Sequence, residues 1–148
     1  MSPFPLARPS RRLGGSESAK LRPLAGTQVG CMLPVKDMAR ARRFYEQQLA
    51  LDAIGARPDG KFGYRCGGTE IWLLPRAEGT QAQHTALGFR VDDIRRAIAE
   101  LQRRGLRFAD YDLPGLKTVD HVADMGAEKA AWFEDTEGNF LCLHEDIG

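Results

Sequence analysis

The chain has 148 residues, 43% hydrophobic and 28% charged, enough for one domain that buries about two thirds of its unfolded surface. That balance excludes a largely disordered chain, a collagen-like repeat and a coiled coil. The 21 Lys and Arg against 20 Asp and Glu leave a net charge of +1, so no general pull toward nucleic acid or acidic membrane surfaces is expected.

Residues 1–26 carry Arg8, Arg11, Arg12, Lys20 and Arg22 against the single acid Glu17, with Pro3, Pro5, Pro9 and Pro23 among them. The remaining 16 basic and 19 acidic residues make residues 27–148 slightly negative. The leader has neither a helical nor a strand period and is read as disordered. Its Arg-rich, acid-poor character is shared with organelle transit peptides, but the prolines oppose an amphipathic helix, which favours a flexible tail. No later run approaches the about 18 apolar residues of a membrane span. Cys31, Cys66 and Cys142 are odd in number and widely spaced, which points to a reducing cytoplasm.

Residues 27–148 read as one domain of two repeated units, 27–79 and 80–148. A strand over 29–35 runs to Asp37, which can cap a helix whose apolar face is Met38, Ala41, Tyr45 and Leu49. Strands follow at 51–56, 62–66 and 70–74, separated by Pro58-Asp59-Gly60 and Gly67-Gly68. A second strand–helix pair repeats the pattern in register, with a strand over 85–91, Asp93 as cap, and Ile94, Ala97, Ile98 and Leu101 at i, i+3, i+4 and i+7 before Gly105. Strands at 107–111, 130–134 and 140–144 follow, the last two joined by a hairpin loop over 135–139. The stretch 110–129 lacks a strong period and reads as a loop over a cleft mouth. Each unit is therefore strand, helix and three strands, an α+β fold. Two such units are expected to pack as one curved mixed sheet around a cleft.

Leu33-Pro34-Val35-Lys36-Asp37-Met38 through Phe44-Tyr45, Gly88-Phe89-Arg90-Val91-Asp92-Asp93, and Ala131-Trp132-Phe133-Glu134-Asp135 with Gly138-Asn139 resemble the vicinal oxygen chelate superfamily of glyoxalases, bleomycin-resistance proteins and extradiol dioxygenases. The resemblance covers residues 27–146 and implies a cleft with a divalent metal in the metal-using members. There, each unit supplies two ligands, from its first and last strands. Carried over by motif, those positions are Gly30, Trp72, Ala86 and Cys142. Only the thiol could donate, and one soft ligand does not hold an oxygen-chelating ion. The resemblance therefore points to a metal-independent branch.

Strand alternation turns Gln28, Glu70, His84 and His144 to the same side as those positions, beside an apolar floor of Trp72, Phe140 and Cys142. Few polar groups on an apolar floor suit a small-molecule pocket. For Trp72, stacking on a planar or cationic guest and plain core filling both stand open. Cys142 reads as an inert thiol rather than a nucleophile. Tyr111 and His121, with Lys117 and Thr118, are second-rank contacts from the 110–129 stretch.

The expected function is capture of a small, partly aromatic or cationic molecule without metal or other cofactor. The alternative is a metal-dependent lyase, isomerase or dioxygenase with Glu70, His84 and His144 as a shifted ligand set for a divalent ion. A homodimer is expected, because two units leave sheet edges to cover and small superfamily members are commonly dimers. Neither nucleic acid nor membrane is an expected partner.

Overall fold

A computed structural model describes residues 22–148. Most of the basic leader, residues 1–21, lies outside the described residues, and its expected disorder with it; residues 22–26 form an exposed turn.

Two sheets result. In the first unit, β1 (Gly30–Val35) is followed by α1 (Met38–Arg43), β2 (Asp52–Ala56), β3 (Phe62–Cys66) and β4 (Thr69–Pro75), with strand order β1-β4-β3-β2. In the second, β5 (Thr85–Arg90) and α2 (Ile94–Arg103) precede β6 (Asp112–Leu113), β7 (Leu116–Val119), β8 (Val122–Asp124), β9 (Glu128–Glu134) and β10 (Phe140–Asp146), in order β5-β10-β9-β8-β7-β6. Each unit opens with its first strand parallel to its last, β1 with β4 and β5 with β10. The α+β architecture of two repeated units is thus present, with each helix crossing over its own sheet.

Both helices start where an aspartate frees itself from the strand. Asp37 and Asp93 have extended backbones, and their carboxylates accept from the amides of Arg40 and Arg96 at 3.0 and 3.1 Å, filling donors that the first helical turn leaves open. The first helix widens into a π-type turn over Phe44–Gln48, where the Leu49 amide reaches back to the Phe44 carbonyl. This turn buries Phe44 and Tyr45 on consecutive positions.

Two expectations are corrected. The 110–129 stretch is not a structureless loop: it folds into β6, β7 and β8, which extend the second sheet. Residues 107–111 form no strand; one bond, from the Ala109 amide to the Trp132 carbonyl at 2.8 Å, ties them to β9.

The core lies on the helix-bearing faces of both sheets at once. Leu33, Val35, Ile71 and Leu73 from the first unit and Ile94, Ile98, Phe133, Leu141 and Leu143 from the second belong to one buried cluster. The bonds joining the units run through the same side. Tyr45 donates to Asp135 at 2.6 Å, and Asn139 Nδ2 donates to the Pro34 carbonyl at 3.0 Å. Glu137 accepts from the amides of Lys36 and Asp37 at 2.9 and 3.0 Å, and Gln48 donates to the Arg104 carbonyl at 3.1 Å. Strand side chains alternate, so the faces opposite this core look outward. The expected hollow between the two units of one chain is accordingly two open faces, one per sheet, each turned away from the shared core.

Candidate functional site

On the first sheet the open face carries Met32, Glu70, Trp72, Gly63 and Arg65, and it is largely filled. Trp72 pairs across the ladder with Gly63, the position where any side chain would strike the indole: a Cβ there would lie 2.5 Å from the ring. The Arg57 guanidinium stands 4.9 Å from the ring centre, and indole Nε1 donates to Glu70 at 3.1 Å. Trp72 is fully buried and Glu70 nearly so. Of the two readings of Trp72, its burial favours core filling over a presented stacking face. The Glu70 carboxylate is shared between this indole and Arg65, 3.8 Å away.

The second sheet's open face is accessible. Phe140, Cys142 and His144 alternate along β10, half-buried, between Gly88 of β5 and Trp132 of β9. Gly88 matters sterically, since a Cβ there would meet Cys142 Sγ at 3.1 Å. Tyr111 packs edge-on against Trp132, with centroids 5.6 Å apart at 86°. Tyr111, Trp132 and Phe140 border a cavity of about 350 Å³ beside the β9–β10 turn, whose lining also includes Glu134 and, from the core side, Phe44, Phe108 and Phe133. That volume is at the small end of ligand pockets.

The predicted residues therefore separate. Phe140, Cys142, His144 and Tyr111 share the second open face; Glu70 and Trp72 share the first; Gln28 and His84 are exposed just ahead of β1 and β5. His121 lies elsewhere, at a second hollow of about 300 Å³ beside α2, with Asp110 at 2.9 Å from its Nδ1. Glu70, His84 and His144 do not converge: among the described residues one His/Cys/Asp/Glu group closes within 4.8 Å, and it is Glu128, His144 and Asp146. Trp132 was missed by sequence reasoning because Ala131 and Phe133 flank it in an unbroken apolar run that hides strand parity.

The four metal positions implied by the resemblance do not fit an ion. Gly30 and Ala86 offer no donor, and the indole of Trp72 has no lone pair to give. Cys142 is held as the neutral thiol, since burial and then the nearby Glu128 charge raise its pKa. Burial likewise pushes Cys31 up to about 11 and raises Cys66.

Comparisons with known proteins find the same fold. The chain resembles a putative glyoxalase family protein from Bacillus anthracis, with 18% identity, TM-score 0.66, and 84% of this chain and 97% of that one covered. It resembles TnmS3, an antibiotic binding protein from Streptomyces sp. CB03234, with 22% identity, TM-score 0.61 and coverage of 84% and 98%. Lactoylglutathione lyase from Agrobacterium tumefaciens matches at 16% identity and TM-score 0.59, with 82% and 95% covered. At these identities the likeness is one of fold. A search of curated proteins finds no match. The sequence profile of one family matches residues 27–143, nearly the whole repeated domain, and the chain belongs to the Glyoxalase/Bleomycin resistance protein/Dioxygenase superfamily.

Proposed function

We propose that this chain captures a small, partly aromatic or cationic organic molecule in the cavity at the β9–β10 turn end of its second sheet, where the open face begins, without an ion at the four superfamily metal positions. The observation that carries this reading is the aromatic wall of Tyr111, Trp132 and Phe140 around the cavity, with the exposed carboxylate of Glu134 at its rim. Aromatic faces attract cations through their quadrupoles, and a nearby carboxylate adds to that pull. His144 and Cys142 continue the wall along β10. TnmS3, whose fold is similar, is described as an antibiotic binding protein, and capture of an organic molecule is the use of the fold adopted here.

The partner arrangement follows from the outward faces. β1 and β5 are edge strands, Met32 of β1 is 38% exposed and Val29 just before it 68%, and such edges are normally covered. Two copies would meet face to face, the first sheet of one closing the second sheet of the other, with the exposed Met32 and Arg65 as the opposing wall. The cysteines carry no disulfide, in keeping with a reducing cytoplasm. The metal-dependent alternative has less support, because Glu70 is committed to Trp72 and Arg65 while His84 stands apart.

The test uses acriflavine, a planar aromatic cation, with binding followed by the anisotropy of its own fluorescence in EDTA, a readout that the Trp132→Ala variant keeps. Saturable binding is expected, weakened at least tenfold in Trp132→Ala and in Tyr111→Ala. Binding that disappears in EDTA, or that survives both substitutions unchanged, overturns the reading. Sedimentation at micromolar concentration checks the dimer.

A further inference from the structure

At the end of the open face away from the cavity, β9 and β10 place two carboxylates opposite each other. Glu128 and Asp146 are directly paired across the antiparallel ladder, where like charges destabilise a sheet. His144, two residues before Asp146 on the same face, aims its Nδ1 between them, 3.6 Å from Asp146 Oδ1 and 3.9 Å from Glu128 Oε2. Those distances exceed a hydrogen bond, and Nδ1 is buried with no hydrogen-bond partner. A buried ring nitrogen without a bond is costly. On the β5 side the ring edge lies beside Gly88, while Arg90 is the ladder partner of His144.

An ion accounts for all three features. Three donors at about 2.0–2.2 Å from one transition-metal ion stand about 3.0–3.6 Å from one another; the two imidazole–carboxylate separations here are 3.6 and 3.9 Å, and all three ligand atoms lie within 4.8 Å of one another. The carboxylate side chains are 45% and 57% exposed, so small rotations close the remainder. Arg90 Nη1, 3.6 Å from Asp146 Oδ2, offsets one of the two negative charges. One nitrogen and two oxygens suit zinc, nickel or cobalt rather than calcium or magnesium.

We propose that Glu128, His144 and Asp146 bind one divalent first-row transition-metal ion at the end of the second sheet's open face. The site is distinct from the four superfamily positions, Gly30, Trp72, Ala86 and Cys142, and does not depend on capture of an organic ligand. With three protein donors the ion keeps coordination positions open to water or to a donor atom of a guest on the same face.

Equilibrium dialysis of the full chain against Zn²⁺ alone, and separately Ni²⁺ alone, tests this. One ion per chain is expected with micromolar affinity. His144→Ala should abolish binding, and Glu128→Gln and Asp146→Asn should each weaken it at least tenfold. His84→Ala and His121→Ala should leave it unchanged, and thermal unfolding without metal establishes that each variant is folded. Absence of saturable binding, binding that persists in His144→Ala, or an equal loss in His84→Ala overturns the proposal. Because acriflavine binding is measured in EDTA, failure here leaves that reading standing, and failure there leaves this one.

Discussion

Glu137 is the joint between the two units, and its removal has a calculable cost. Its side chain is fully buried, yet it accepts from two backbone amides, from Arg40 Nε at 2.8 Å and Nη2 at 3.1 Å, and from the Thr136 hydroxyl at 2.8 Å. Burial alone would raise its pKa, but the hydrogen bonds from Arg40, Asp37, Thr136 and Lys36 outweigh it and lower the carboxyl from 4.5 to about 2. At about 1.4 kcal/mol per pH unit, that drop is worth about 3 kcal/mol. Arg40 is 44% exposed, so solvent screening reduces this to about 2–3 kcal/mol. Because the folded value lies below the unfolded one, the contribution is complete above pH 4.5 and is lost as pH falls toward 2. Glu137→Gln should therefore cost about 2–3 kcal/mol at pH 7 in urea unfolding, lower Tm by about 5–10 °C, and flatten the loss of stability between pH 4.5 and 2. A variant with the wild-type urea midpoint and the full wild-type acid limb refutes the reasoning.

Other substitutions test the packing more locally. Gly63→Ala would force a methyl to within 2.5 Å of the buried Trp72 ring and should destabilise by about 1–3 kcal/mol, with a red shift in tryptophan emission; an unchanged urea midpoint would contradict the placement of the indole. Tyr45→Phe removes the 2.6 Å donor to Asp135 and should cost about 1–3 kcal/mol, read by thermal unfolding at pH 7. The Tyr45 hydroxyl, its pKa raised by burial and then by the Asp135 charge, should show no phenolate absorbance up to the pH of unfolding. With its thiol near 11, Cys31 should react with iodoacetamide at pH 8 about a hundredfold more slowly than an unburied cysteine.

The repeat was legible because Asp37 and Asp93 sit at matching places before matching apolar periods, and capping plus periodicity are local properties of the chain. The 110–129 stretch was not, because its strands have two, four and three residues, too few for a period of two to show. Residues 107–111 looked like a strand for the opposite reason: alternation was present, but the partner edge supplies only one ladder bond. On the open face, Phe140, Cys142 and His144 came from parity within one strand. Glu128 joins His144 and Asp146 only once the β9–β10 register is set, and nothing within either strand announces that register. Nor does alternation tell which face of one unit meets the other, which is why a hollow inside a single chain was the natural reading.

That last choice is made by polar residues in the β9–β10 turn. Asp135 Oδ1 accepts from the amides of Glu137 and Asn139, both at 2.8 Å, and Oδ2 receives Tyr45 and Asn139 Nδ2. The turn is thus pinned to α1, so the helix sides of both units share one core and the second sheet's open face is left accessible. Residues on the two faces of the second sheet should then separate cleanly in their effects. Leu143 of β10 is buried in the core and lines no part of the cavity, while Trp132 of β9 is half-buried on the opposite face and borders it. Leu143→Ala should cost about 2–5 kcal/mol of stability and change acriflavine affinity in the folded fraction little. Trp132→Ala should do the reverse, losing at least tenfold in affinity for a stability cost of about 1 kcal/mol. If the two substitutions destabilise equally and weaken acriflavine equally, the faces are not independent, and the back-to-back packing from which the site was derived is wrong.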